Sequence, residues 1–129
     1  MPPTLRDELR QTRPFGSLEE EALLSIERTA AVIGHALAEL LKPYGITPTQ
    51  YNVLRILRGA GRTGLCRFEI RDRLVAQVPD VTRLLDRMEE AELVQRERDA
   101  ADRRLVTTRL TVRGRALVDD LDDVVLRFD

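Results

Sequence analysis

Residues 70–111 read IRDRLVAQVPDVTRLLDRMEEAELVQRERDAADRRLVTTRLT, and the order of patterns in this stretch decides the fold. A short helical segment ends in a turn at Val75–Ala76, and a second helix is expected to open near Gln77. Pro79 suits a first helical turn, where its missing N–H would have no intrahelical partner. Asp80 favours the positive end of the helix dipole. Val81, Leu84, Leu85 and Met88 recur at helical spacing as a buried stripe. Residues 93–98 and 104–110 then alternate in polarity like the strands of a hairpin. The tip between them has no Asn-Gly or Asp-Gly, so a longer, mobile loop is expected. Helix, turn, helix, then a hairpin with a basic tip is the order of a winged helix-turn-helix. In that arrangement the second helix can lie in a DNA major groove while the tip reaches the neighbouring minor groove.

The candidate contacts follow from that order. Near its N-terminus the second helix offers Gln77, Pro79, Asp80, Thr82 and Arg83 on its outer face. Those positions meet base edges when a recognition helix enters end-first. Glutamine can pair bidentate with adenine and arginine with guanine, and threonine can touch a thymine methyl. Asp80 cannot favour phosphate, so it is expected to cap the helix, exclude wrong bases or accept from a cytosine amino group. The plainer alternative is an ion pair between Asp80 and Arg83 at i,i+3. At the hairpin tip stand Asp102, Arg103 and Arg104. An arginine there can enter a narrow, electronegative minor groove while Asp102 braces a guanidinium. Arg96 and Arg98 on the hairpin, with Arg67 and Arg71 on the preceding helix (66–74), are candidate phosphate contacts.

Outward from this stretch, Thr47-Pro48-Thr49-Gln50 is a capping box that starts a helix, and GAGRTG (59–64) ends it. The glycines of that turn do not fit a phosphate-binding loop, because no G-x-x-x-x-G-K-[ST] is present. Upstream, Ser17-Leu18-Glu19-Glu20 is a second capping box, opening a helix that stops before Pro43. Its Leu23, Ile26, Ala30, Ile33, Leu37 and Leu40 are spaced 3, 4, 3, 4, 3, the stripe of a helix that packs on another helix. Residues 1–16 hold three prolines and mixed charge and read as an arm, in which LRDELRQTR could form a short helix. Downstream, Thr111 caps a last helix with Leu117, Leu121, Val125 and Phe128 on its apolar face and four aspartates opposite. The expected organisation is therefore an arm (1–16), a dimerisation helix (17–42), a winged helix-turn-helix region (43–110) and a C-terminal dimerisation helix (111–129). Leu23, Ile26, Ile33, Leu37, Leu121, Val125 and Phe128 are the expected subunit contacts.

Composition limits the function classes. The formal net charge is −1, which by itself gives no nucleic-acid signal. Its distribution does: residues 43–110 carry 13 arginines against 10 acids, a net +3, while the flanks carry 8 basic residues against 12 acids, a net −4. Cys66 is the only cysteine and His35 the only histidine. No intrachain disulfide, all-cysteine zinc site or paired acid–base constellation can be built, so neither an enzyme nor a metal or other cofactor is expected. Cys66 reads as a small packing residue and His35 as a partly buried, hydrogen-bonded one. No apolar run approaches transmembrane length and the start lacks a signal-peptide core, so a cytoplasmic location without membrane contact is expected.

ITPTQYNVLRIL (46–57) and VPDVTRLLDRMEEAELVQRERDAADRRLVTTRLTVRGRALV (78–118), with the long leading helix, resemble the MarR family of bacterial transcriptional regulators. The resemblance covers roughly residues 20–121. Its most specific part is D-x-R at Asp102 and Arg104, followed by L-T-x-x-G at Leu110, Thr111 and Gly114. The resemblance implies that Arg104 enters the minor groove, ordered by Asp102, and that the helix matching 77–92 reads the major groove. It implies a homodimer joined through its first and last helices on a pseudo-palindromic operator. It also implies release from DNA when a small, often phenolic, ligand binds. The sequence ends soon after the helix that leads into another terminal helix in the family, so a smaller interface is expected, or one compensated by the 1–16 arm. Cys66 does not match the first-helix cysteine of the peroxide-sensing branch. The expected function is a DNA-binding transcriptional regulator, a repressor, with double-stranded DNA, a second copy of itself and a small effector as partners. The alternative is a winged-helix module that docks proteins and no longer binds DNA.

Overall fold

The computed structural model describes residues 2–127. Phe128, one of the expected subunit contacts, lies outside them. The chain divides into two compact units, Met1–Leu40 and Leu41–Asp129.

In the first unit the arm contains a one-turn helix, α1 (Leu5–Glu8). Thr4 and Asp7 cap it reciprocally, side chain to backbone, at 3.3 and 3.2 Å. The long helix α2 (Leu18–Leu41) begins where the capping box predicts. The Ser17 hydroxyl accepts from the Glu20 N–H at 3.1 Å, but the Glu20 carboxylate takes the Gly16 N–H at 2.9 Å instead of that of Ser17. Leu23, Ile26 and Ile33 are exposed, at 56%, 68% and 48%, and Leu37 is half-buried. His35 corrects an expectation: it is exposed rather than partly buried.

The second unit is built around α3 (Pro48–Ala60). Thr47 and Gln50 close the predicted capping box at 3.1 and 3.0 Å. Tyr51, Val53, Leu54 and Leu57 are buried on α3. Around it pack α4 (Arg67–Arg73), a hairpin of β1 (Val94–Arg98) and β2 (Val106–Leu110), and α6 (Val112–Leu126). The recognition-type helix α5 (Val81–Glu90) packs on α4 and β1, burying Val81, Leu85 and Met88. The strands are antiparallel, with Val94 opposite Leu110 and Arg98 opposite Val106. Leu65 adds a single bridge to Thr108, at 3.0 and 2.8 Å, which the sequence did not signal. Gly64 permits that approach: its φ is +68°, and a Cβ would lie 2.5 Å from the Thr108 carbonyl oxygen.

The second helix starts later than its sequence pattern predicts. Asp80, not Gln77, is the N-cap, and its carboxylate accepts from the Arg83 N–H at 2.9 Å. Two causes act together. Pro79 disfavours helical backbone at Val78, and aspartate caps far better than glutamine. Gln77, Val78 and Pro79 therefore belong to the connecting loop. At its other end α5 closes in a Schellman turn, with Leu93 N–H on the Met88 carbonyl at 3.0 Å and Glu92 N–H on the Glu89 carbonyl at 2.9 Å. Glu92 occupies the left-handed position at φ +62° without being glycine.

Thr111 caps α6 as the sequence predicts, accepting from the Gly114 N–H at 2.9 Å. Its hydroxyl donates to the Glu92 carbonyl at 2.6 Å, and its N–H donates to the Leu93 carbonyl at 3.1 Å. Leu121 corrects an expectation: with Val118 it is fully buried within the chain, so its side chain is not free surface for a second subunit. The acidic face of α6 is partly engaged, because Asp119 and Asp122 bind Arg58 of α3 at 2.9 and 2.7 Å. That pairing holds the Asp122 carboxyl below its ordinary range.

Gly114 lies so close to the Leu93 carbonyl that a methyl group there would overlap it. The carbonyl cannot swing away without losing the Thr111 bond. Gly114→Ala is therefore expected to destabilise the protein by about 2–3 kcal/mol. Chemical denaturation measures this, and an unchanged midpoint would show that the contact is soft.

Candidate nucleic-acid interface

Three elements converge on one side of the second unit: the N-terminal part of α4, the first turns of α5, and the wing formed by β1, β2 and their tip. The turn between α4 and α5 is pinned from behind, since the Asn52 side-chain carbonyl on α3 accepts from the Val75 N–H at 2.9 Å. Asn52 was not signalled by the sequence, because its partner lies 23 positions along the chain.

Thr82 and Arg83 are both exposed on α5. Thr82 faces α4, where the Arg67 guanidinium donates to its hydroxyl at 3.4 Å. Arg83 lines a separate depression with Pro79, Asp80 and Arg87. Among the described residues Asp80 forms no ion pair with Arg83; its carboxylate is spent on the backbone cap. Gln77 is exposed in the loop ahead of α5 and lines none of these depressions.

Arg67 and Arg71 flank the ring of Phe68, at 4.8 and 5.2 Å from its centre. Cation–π attraction gathers both guanidinium groups at this half-exposed ring, and Arg71 also pairs with the adjacent Asp72 at 3.6 Å. Phe68 was not singled out in the sequence, although an aromatic with arginine one residue before and three after on a helix is a readable signal. Arg67, Phe68 and Thr82 are shared by two adjoining depressions, one reaching Pro79 and Asp80, the other reaching the wing. The second is a cleft of about 320 Å³ that brings Arg67 and Thr82 together with Arg96, Arg98 and Arg104.

The wing tip is more ordered by hydrogen bonds than its sequence suggests. The Asp99 carboxylate accepts from the N–H groups of Ala101 and Asp102 at 2.7 and 2.8 Å. The Asp99 N–H closes the loop on the Leu105 carbonyl at 2.8 Å. An aspartate binding its own backbone two residues on is a recognised turn former, so Asp99 was legible without a glycine. Asp102 takes three bonds from Arg104: the backbone N–H and Nε at 3.1 Å each, and Nη2 at 3.3 Å. The Arg104 side chain is nonetheless 90% exposed, so one edge is braced and the other is free. Arg103 is also exposed, and its carbonyl accepts from the Arg98 guanidinium.

Arg96 departs from its expected role. Its Nη2 binds Asp86 at 2.6 Å and Glu89 at 2.9 Å, both on α5, and its side chain is only 22% exposed. A guanidinium already paired with two carboxylates is a poor free contact for phosphate. Cys66 is half-buried at the start of α4, where its N–H donates to the Glu69 carboxylate at 3.1 Å. Among the described residues no group of three or more His, Cys, Asp or Glu side chains gathers to hold a metal. Among the same residues no helix is long and apolar enough to cross a membrane.

Known proteins share this arrangement. A sequence model of the MarR family matches residues 46–106. The chain is 33% identical over 97 residues to YsmB, an uncharacterised HTH-type transcriptional regulator of Bacillus subtilis (strain 168), covering 75% of this chain. It spans 65% of YsmB, under two thirds of that relative's length. A MarR transcription factor from Planctomyces limnophilus superposes with a TM-score of 0.76 at 37% identity, covering 88% of this chain and 82% of that one. The transcriptional repressor CouR, bound to a 23-mer DNA duplex, superposes with a TM-score of 0.77 at 26% identity, covering 92% and 82%.

The hydrogen bonds from Arg104 hold the Asp102 carboxyl below its ordinary value of 3.8. The bracing is therefore complete at neutral pH, persists through 3.8, and is lost only as pH falls through the lower folded value. A carboxyl-carbon NMR titration is expected to give Asp102 a midpoint below 3.8 that rises in Arg104→Ala. Equal midpoints in the two proteins would show that the pairing does not exist in solution.

Proposed function

Because the chain belongs to the MarR family, we propose that it is a DNA-binding transcriptional regulator, a repressor that grips a pseudo-palindromic operator as a homodimer. The observation that carries this reading is Arg104. It stands at the wing tip, held on one edge by Asp102 and open on the other, and it lines the same cleft as Thr82 at the start of α5. A braced, exposed arginine is preorganised for the narrow minor groove, so little side-chain entropy remains to be lost on binding. With α5 in the adjacent major groove, Thr82 and Arg83 meet base edges. Gln77, Pro79 and Asp80 approach from the loop and cap at the helix entrance. Arg67 and Arg71, gathered at Phe68, contact phosphates. Arg98 and Arg103 do so from the wing. Affinity then falls with rising salt as phosphate counterions are released.

The exposed Leu23, Ile26 and Ile33 on α2, with Leu37, support a shared helical interface, because a soluble chain rarely leaves such a stripe uncovered. Val125 of α6, half-buried, is a further subunit contact that the family resemblance implies. This assigns α2 and the end of α6 to dimerisation and residues 43–110 to DNA. The repressor assignment is supported by the likeness to CouR. Release by a small phenolic effector is the remaining part of the reading, taken from the family resemblance. The protein acts on DNA in the cytoplasm.

Sequencing the duplexes that the purified protein retains from a random pool tests the reading. An inverted repeat with half-sites about one helical turn apart is expected. Retention of no duplex at low salt would leave the protein-docking module in its place. Against the selected duplex, Arg104→Ala is expected to lose at least about tenfold in affinity with the fold intact by circular dichroism. An unaltered titration would remove the wing from the mechanism. Gln77→Ala is expected to change the selected consensus more than the affinity for random DNA, and recovery of the parental consensus would exclude Gln77 from base reading.

A further inference from the structure

One arginine in the cleft is neutralised where a DNA-binding surface would be expected to keep it free. Arg96 lies on β1, the outer strand of the hairpin, and reaches back to α5 in two ways. Its guanidinium binds Asp86 and Glu89 at 2.6 and 2.9 Å. Its backbone N–H donates to the other Glu89 oxygen at 2.9 Å. One carboxylate therefore holds both the main chain and the side chain of the same strand residue. That N–H points away from β2 and would otherwise be an open strand-edge donor. Two positions on, Arg98 extends the connection, because its guanidinium donates to the Arg103 carbonyl beside Arg104. A continuous set of bonds thus leads from the body of α5, through the base of the wing, to its tip.

We infer that Arg96, with Glu89 and Asp86, is a positioning group that locks the wing to the recognition helix, so that the two grooves are read at one fixed angle. The inference rests on the DNA-binding reading above and adds to it a source of sequence discrimination that touches no base. Two carboxylates on the face of α5 repel a polyanion, so they weaken DNA binding unless they serve some other purpose. Their alignment on Arg96 supplies one. With the lock intact, a duplex gains the full wing contact only when its major-groove contacts are also in register. With the lock broken, the wing finds phosphates or a minor groove on any duplex, and the two contacts no longer reinforce each other.

The sign of one substitution separates this from its rivals. Glu89→Gln removes a negative charge from α5, the helix that the DNA-binding reading places in the major groove. If Glu89 is only a solvated acid, affinity rises for every duplex. If it positions the wing, affinity for the duplex selected by the parental protein falls by about five- to tenfold while affinity for a random duplex of equal length holds or rises. Arg96→Met gives the second reading. A phosphate contact would lower both affinities alike and reduce the slope of log affinity on log salt by about 0.9. A positioning residue lowers only the selected-duplex affinity and leaves that slope unchanged. The double variant is then no worse than Arg96→Met alone. Thermal melts of each variant keep folding apart from positioning, and Asp86→Asn, which leaves the Glu89 bonds in place, is expected to show a smaller loss of the same sign. Parallel changes on both duplexes in Glu89→Gln or Arg96→Met overturn the inference alone. Failure of the parental protein to retain any duplex overturns the DNA-binding reading, and this inference with it.

Discussion

The carbonyl of Leu93 is the point on which the second unit depends. Leu93 ends the Schellman turn of α5 through its N–H and accepts from Thr111 through its oxygen, and Gly114 lies directly against it. Recognition-type helix, wing and last helix therefore meet at one peptide group. Met88 and Leu93 are both buried, in keeping with the apolar pair that often accompanies such helix ends. The arrangement demands a left-handed residue at Glu92, a conformation that costs a non-glycine residue roughly 1 kcal/mol. That cost is offset by the bonds converging on the Glu92 and Leu93 carbonyls. The L-T-x-x-G run at Leu110, Thr111 and Gly114 thereby acquires a physical meaning. Threonine supplies the cap and the bond to Glu92, and glycine supplies the space.

Acidic groups around the candidate interface are mostly paired. The chain is slightly acidic overall, and several carboxylates lie on the elements that would face DNA. Asp86 and Glu89 pair with Arg96, and Asp102 pairs with Arg104. On the other side of α3, Asp119 and Asp122 pair with Arg58. Charges paired at these distances cancel much of each other's distant field, which leaves exposed arginines outside such pairs, among them Arg67, Arg83 and Arg103, to set the local potential. Net charge is therefore a poor guide here. The count over residues 43–110 points the right way but misses which arginines are already engaged.

What the sequence reveals and what it hides divide along a simple physical line. The caps at Thr47 and Thr111 are bonds between residues three apart, so their chemistry is written in adjacent letters. The hairpin is legible for a similar reason, since alternation along a strand reports its two faces directly. The start of α5 is misread because two local signals compete, a proline acceptable in a first turn and an aspartate that caps. The stronger cap wins. At Ser17 the hydroxyl behaves as the box predicts, while the reciprocal glutamate finds the Gly16 N–H instead. Arg96 is hidden for a different reason. Its partners lie seven and ten positions earlier, and the chain reverses between them through a turn that has no glycine to announce it. Leu121 shows the same limit from the other side. An apolar stripe says that a helix face is covered, but not whether its own chain or a second one covers it.

The proposed function makes one further demand on this architecture. Only a few side chains of α5 can reach base edges, and a good bidentate contact discriminates by about 1–3 kcal/mol. Specific regulators bind their sites about 4–10 kcal/mol more tightly than random DNA. Two bidentate readers on one recognition helix supply about 2–6 kcal/mol, which covers only the lower part of that range. A second copy, placed by a two-fold axis, doubles the discriminating contacts without any new chemistry. The doubling works only if both copies hold their reading elements rigidly, since slack in either loses the register between half-sites. Under the proposed function, the apolar stripe on α2 and the bonded path from α5 to the wing tip would answer the same requirement at two scales, one between subunits and one within each.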